Sequence, residues 1–192
     1  MFKRLSTPTS ASNSMLSELI DERSWDEVLL RLKTNPDEAS KMIMRGGYGK
    51  SLPLHEACKL QPPTGVVKAL IDAYKQAAST EGLWAFLPLH FAVRSNSVEA
   101  SVTLLEAYPD AARKKESKGK LPLHLACQWG ASPDVVDRLL MSYPESIYDG
   151  DDDGKLPMDH AEGMKAHTAN RTGIIAVLEC GPAYCAVSQA GT

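Results

Sequence analysis

Three histidines and a run of aspartates are the residues of this chain whose types and spacing could do chemistry. His55, His90 and His124 each close a Leu-Pro-Leu-His tetrapeptide. Three imidazoles gathered at one point could hold a transition metal or supply a general base. Asp149-Gly150-Asp151-Asp152-Asp153-Gly154 matches the first six places of an EF-hand loop, D-x-D-x-D-G, whose oxygens surround calcium. The twelfth place, however, is His160, where that loop requires a bidentate Glu. The chain has no Gly-rich phosphate loop, no nucleophile elbow and no Cys-x-x-Cys pair.

The elements that position these residues follow from a period. Leu-Pro-Leu-His begins at Leu52, Leu87 and Leu121 and returns as Leu-Pro-Met-Asp at Leu156, at intervals of 35, 34 and 35 residues. Such self-similarity marks stacked structural units. Each start is followed in phase by an Ala (Ala57, Ala92, Ala126, Ala161) and by a paired apolar step: Leu70-Ile71, Leu104-Leu105, Leu139-Leu140 and Ile174-Ile175. Tyr74, Tyr108 and Tyr143 come next, the last two before Pro109 and Pro144. Each unit reads as two short helices. The Pro after the opening Leu suits a first helical turn, where its missing N–H costs nothing. In the third unit Gly130 can end the first helix, and Ser132-Pro133-Asp134 can start the second as N-cap, N1 proline and dipole-matched acid. A polar finger such as 114–120 or 149–155 leads into the next unit.

This geometry disposes of most chemistry. Helices packed at 8–10 Å put neighbouring histidines ~10 Å apart, whereas each ligand of a zinc ion lies ~2 Å from the metal. Cys58 and Cys127 occupy one slot two units apart, about 20 Å, beyond the ~7 Å Cα separation a disulfide tolerates. They read as buried small apolar residues. Cys180 and Cys185 could meet only if the tail folds back. Asp and Gly favour tight turns, so the aspartate run reads as a finger. His160 and His167 lie off the ladder with no obvious partner. No cofactor and no catalytic residue is expected, and no metal site.

Composition is that of a soluble domain: 43% hydrophobic, 23% charged, net charge −3. Such a balance offers no general attraction to nucleic acid or to anionic membranes. No apolar run approaches the ~20 residues that span a bilayer. Residues 1–14, polar and Ser/Thr-rich without an apolar segment, are expected to be a disordered tail rather than a secretory signal. The cysteine usage favours a reducing, intracellular setting, cytoplasmic or nuclear.

On Pro53, Leu54, His55 and Ala57, on Pro88, Leu89, His90 and Ala92, and on Pro122, Leu123, His124 and Ala126, the chain resembles the ankyrin repeat family, whose units carry Thr-Pro-Leu-His-x-Ala. Leu replaces the family's Thr in every unit, and Asp159 replaces the His in the fourth. The resemblance implies an all-α solenoid of about four units starting at 52, 87, 121 and 156. Residues 15–46, with Trp25, Val28, Leu29 and Leu32, would form an N-terminal capping helix of an array over 15–181, and 182–192 a C-terminal tail. It also implies that the His ladder is structural, hydrogen-bonding backbone between turns. Binding would use finger tips and the outer turn of each first helix. Carried over position by position, this face comprises Tyr48, Leu83, Trp84, Phe86, Arg94, Lys118, Lys120, Gln128, Trp129, Asp152 and Asp153.

Two fingers are of opposite sign. Arg113, Lys114, Lys115, Lys118 and Lys120 face the Asp-rich finger one period later, which places Lys118 beside Asp153 and Lys115 beside Gly150. The finger before them, Glu81 to Phe86, is apolar, with Gly82 where the family has Asp and Ala85 where it has Gly. Its Trp84 and Phe86 either fold inward over the groove between units or stand out for a partner; hot-spot statistics favour the second. The expected function is protein–protein recognition on the concave face, as a monomeric adaptor or inhibitor. The alternative is a self-associating scaffold.

Overall fold

The computed structural model describes residues 14–44, 50–165 and 169–189, with side chains through Gly181. Ten helices are described: α1 (Met15–Asp21), α2 (Trp25–Thr34), α3 (Pro53–Cys58), α4 (Thr64–Ala73), α5 (Pro88–Arg94), α6 (Val98–Ala107), α7 (Pro122–Trp129), α8 (Pro133–Ser142), α9 (Pro157–Glu162) and α10 (Arg171–Gln189). Odd-numbered helices pack in one row, α1 on α3 on α5 on α7 on α9, and even-numbered helices in a second, α2 through α10. A two-layered all-α stack results, with one continuous core from Leu16 to Leu178.

Local sequence sets each boundary. Pro53, Pro88, Pro122 and Pro157 open the four inner helices. Gly130 ends α7 in the left-handed conformation (φ 68°), and the Ser132 hydroxyl accepts from the Val135 N–H to start α8. Tyr74, Tyr108 and Tyr143 stand just past α4, α6 and α8. Each is followed by a 3-10 turn, Lys75–Ser79, Pro109–Arg113 and Pro144–Tyr148.

The leading element differs from the expected single capping helix. Residues 15–40 form a helix pair with its own 3-10 turn, Pro36–Ser40. The reason is Glu38, a buried acid whose carboxylate accepts from the Leu16 N–H at 3.1 Å and pairs with Arg31. One side chain thus ties both helices to the turn, with Leu16, Ile20, Val28 and Leu32 buried against the next unit. At the far end α10 lies so close to α8 that a Cβ on Gly173 would meet Pro133 Cγ at 2.6 Å. The helix bends at Gly181 (φ 44°). The polar leader, the tail side chains with Cys185, and His167 lie outside the described residues.

The histidine ladder joins the units. In His55, His90 and His124, Nδ1 accepts from the backbone N–H of the opening Leu (3.1, 2.9 and 3.1 Å). Their Nε2–H donates to a carbonyl on the following finger: Phe86, Lys114 and Lys155, at 3.2, 3.1 and 3.1 Å. The two bonds fix one neutral tautomer. A proton on Nδ1 would oppose a backbone N–H, so the charged ring has no place here. Burial, only partly offset by backbone carbonyls, pushes His55 and His90 down to about 4 and lowers His124 as well. In the fourth unit Asp159 accepts from the Leu156 N–H at 2.7 Å, doing the first job of the His. The opening leucines Leu52, Leu87 and Leu121 are buried where the family has Thr, while the terminal Leu156 is 36% exposed.

A pH dependence follows. Unfolded imidazole takes up a proton near 6.5, but folded His55 and His90 resist it down to about 4. Stability should be flat above pH 7 and fall as pH drops from ~6.5 towards ~4, by of order 3 kcal/mol per ring over the whole window. Urea melts across pH 4.5–7.5 (about two units below and one above the imidazole range) check this; a constant midpoint would contradict it.

Candidate functional site

Each finger is a tight loop closed by one backbone bond: Gly82 N–H to Phe86 O at 2.8 Å, Glu116 N–H to Lys120 O at 3.0 Å, and Asp151 N–H to Lys155 O at 3.0 Å. The loop needs a left-handed residue, and Gly119 (φ 70°) and Gly154 (φ 74°) supply it. The second finger puts Ala85 (φ 58°) there. Trp84 is left-handed as well (φ 57°, ψ 32°), whereas Lys118 and Asp153, one and two units on, are not. For a bulky side chain this backbone is costly. The strained residue is used: Trp84 O accepts from the Ser117 N–H at 2.9 Å, as Lys118 O accepts from the Asp152 N–H at 3.1 Å. Fingers therefore pair with a one-residue stagger.

Trp84, Phe86, Arg94, Glu116, Ser117, Lys118, Lys120, Leu125, Gln128 and Trp129 line one groove of about 260 Å³ between the second and third fingers. Trp84 is 62% and Trp129 52% exposed. Phe86 is half-buried and forms the floor, its ring 5.4 Å from that of His90 and 5.1 Å from Phe91. Of the two aromatics on this finger, then, Phe86 turns in and Trp84 turns out. The Arg94 guanidinium lies over the Trp129 ring at 4.6 Å, a cation–π contact between the first helices of adjacent units. Lys120 Nζ donates to Gln128 Oε1 at 2.9 Å. Glu116 is buried, one oxygen accepting from the Lys120 N–H and the other from the Ser117 hydroxyl.

Seven of the eleven residues anticipated for the binding face thus meet in this groove. Leu83 is half-buried beside it, Asp152 and Asp153 are exposed on the next finger, and Tyr48 lies outside the described residues. Glu116 and Leu125 line the groove without having been anticipated. Leu125 was legible, since 125, 128 and 129 share a helix face at i, i+3, i+4 spacing.

The basic and acidic fingers touch differently from the register argument. Lys115 Nζ does reach Gly150 O, at 2.9 Å. Lys118, however, meets Asp152 backbone rather than Asp153, because of the stagger. In the Asp-rich finger Asp149 and Asp151 turn their carboxylates to the fold. Asp151 Oδ1 accepts from the Asp153 and Lys155 N–H groups (3.0 and 2.9 Å), and Oδ2 accepts from His160 Nε2 at 2.8 Å. Burial alone would raise the Asp151 carboxyl, but the His160 bond and the two backbone donors hold it below the usual range. Asp149 accepts from the Tyr143 hydroxyl at 2.8 Å. His160 therefore has a partner, contrary to the expectation, and also packs edge-on against His124 at 5.7 Å. Cys58 and Cys127 are buried free thiols, burial pushing Cys127 up to about 12.

A family model for ankyrin repeats in three copies matches residues 54–151, half of the chain. The chain belongs to the ankyrin repeat family. Among curated proteins no sequence matches it. Ankyrin repeats are in general protein–protein interaction modules, and typically not enzymes. No helix among the described residues is long and apolar enough to cross a membrane.

The ankyrin finger also yields a stability prediction. Gly119 cannot take a side chain, since its Cβ would meet Asp152 Oδ1 at 2.2 Å; the equivalent neighbour of Ala85 is the smaller Ser117. Ala85→Gly should relieve left-handed strain and stabilise the protein by about 1 kcal/mol, whereas Gly119→Ala should cost more than that. Thermal melts of the two variants would expose the error if their order reversed.

Proposed function

We propose that this ankyrin array is an adaptor or inhibitor that holds a partner protein in the groove between its second and third fingers. The observation that carries the reading is the pair Trp84 and Trp129. Both are more than half exposed, both line one groove, and Trp is among the residues enriched at interface hot spots. Trp84 adds a second argument. Its side chain fills no core space, yet its backbone is held in a conformation disfavoured for large residues. Local strain of this kind, about 1–3 kcal/mol, gathers at functional sites.

Around the two rings the groove has the anatomy of a small interface. Phe86 and Leu125 form an apolar floor, and Arg94, Lys118 and Lys120 form a polar rim. The rings anchor, while the rim directs orientation and encounter.

Trp84→Ala with Trp129→Ala should abolish capture of the partner from a native extract, a loss of at least ~2 kcal/mol for each hot-spot ring, and leave far-UV circular dichroism and melting temperature within about 2 °C (of order 0.5 kcal/mol). Unchanged capture would sink the assignment. In sedimentation the wild type should stay at one mass across concentration. A rise in mass that the same substitutions abolish would instead give the groove to a second copy of the chain.

A further inference from the structure

We infer that the occupant of this groove is an extended acidic segment of a partner protein, inserting one aromatic or long aliphatic side chain between Trp84 and Trp129; the statement presupposes the partner-binding reading above. The first ground is charge. Arg94, Lys118 and Lys120 rim the groove, and none lies within ion-pair distance of a carboxylate among the described residues. The one acid present, Glu116, is buried, and its oxygens are engaged by the Lys120 N–H and the Ser117 hydroxyl. In a chain of net charge −3 this is a local excess of positive charge. The apolar floor beneath it lowers the local dielectric and strengthens its field.

The second ground is preorganisation. The Arg94 guanidinium is held over the Trp129 ring, which confines a group able to meet a carboxylate in bidentate fashion. Lys120 is steadied by Gln128. Neither bond neutralises its cation. A carboxylate arriving at the rim therefore finds donors already oriented and no internal ion pair to break.

The third ground is shape. A volume of about 260 Å³ is too small for a helix, whose diameter with side chains is about 10 Å. It suits one large side chain with its flanking extended backbone. Helices of successive units pack about 10 Å apart, so three or four extended residues at ~3.3 Å each cross from one unit to the next.

The fourth ground is what bounds the site. Asp152 and Asp153 are exposed on the next finger and repel an acidic chain that runs past Lys118. A peptide can end its acidic stretch there. A nucleic acid or a sulfated polysaccharide cannot, because its charge recurs at every step.

The test uses three dye-labelled synthetic peptides and fluorescence anisotropy on the full chain: Gly-Glu-Glu-Phe-Glu-Glu-Gly, the same with Gly for Phe, and the same with Lys for each Glu. The acidic Phe peptide should bind roughly tenfold more tightly than either control. Lys118→Glu with Lys120→Glu, the first exposed and the second half-buried at the rim, neither in the hydrophobic core, should weaken it about tenfold and reverse the preference towards the Lys peptide. Trp84→Ala with Trp129→Ala should also remove binding. Equal affinity for the Glu and Lys peptides, lost in the double Trp variant, would overturn the acidic occupant while leaving the partner-binding groove intact. Binding that ignores the Trp pair and is displaced in full by a thymidine oligonucleotide would overturn both, assigning the cations to polyanions in general. Failure of all three peptides to bind would overturn the acidic segment, with Trp-dependent partner capture still deciding the broader reading.

Discussion

Everything in this stack hangs on a ring nitrogen that accepts and a ring nitrogen that donates. Each ladder histidine takes a backbone N–H from its own helix start and gives a proton to a carbonyl on the following finger. The bond pair requires the neutral Nε2–H tautomer, so it couples the fold to pH without any role in catalysis. It also explains the one break in the ladder. The last unit must still cap its helix but has no described finger beyond it to bind, and Asp159 can accept without donating. What looked in the sequence like drift at a terminus is the loss of the donor requirement.

Local order in the array was legible because one-dimensional repeats turn sequence offset into spatial adjacency. The offset of 34 that aligns Gln128 with Arg94 also brings Trp129, the next residue on that helix, to the Arg94 guanidinium. Helix starts, the left-handed Gly130, the Ser132 cap and the Tyr-Pro stops follow from local chemistry alone. What escaped the sequence depends on long-range fit. Glu38 completes a helix pair from 22 residues away, which no periodicity marks. The Asp151–His160 pair crosses from finger to helix inside one unit. The one-residue stagger between fingers moves Lys118 from Asp153 to Asp152.

The two aromatics of the second finger show where pattern reasoning stops. Spacing placed Trp84 and Phe86 on one finger and left their directions open. Their backbones decide: Phe86 is extended and follows the chain inward to His90 and Phe91, while the left-handed turn at Trp84 throws its ring outward. Nothing in the identity of a Trp announces a positive φ. The neighbouring left-handed residue was foreseeable, because Ala85 falls in a column of glycines. Columns reveal what a backbone demands, and a residue that defies its column reveals where the demand was overridden.

That override is concentrated, and its location matters. The third and fourth fingers meet the loop's requirement with Gly119 and Gly154 and fill their remaining places with charge. The second finger keeps the same closing bond and the same pairing to its successor, yet carries two strained residues and a bare Gly82 where its successors have Glu116 and Asp151. Those successors use their carboxylates to cap their own loop N–H groups; Gly82 cannot. The second finger therefore gives up an internal cap and accepts left-handed strain in exchange for apolar surface on one side of one groove. Stability alone disfavours each of those choices. Together they leave apolar surface exposed beside the cations of the third finger, which supports the partner-binding groove proposed above.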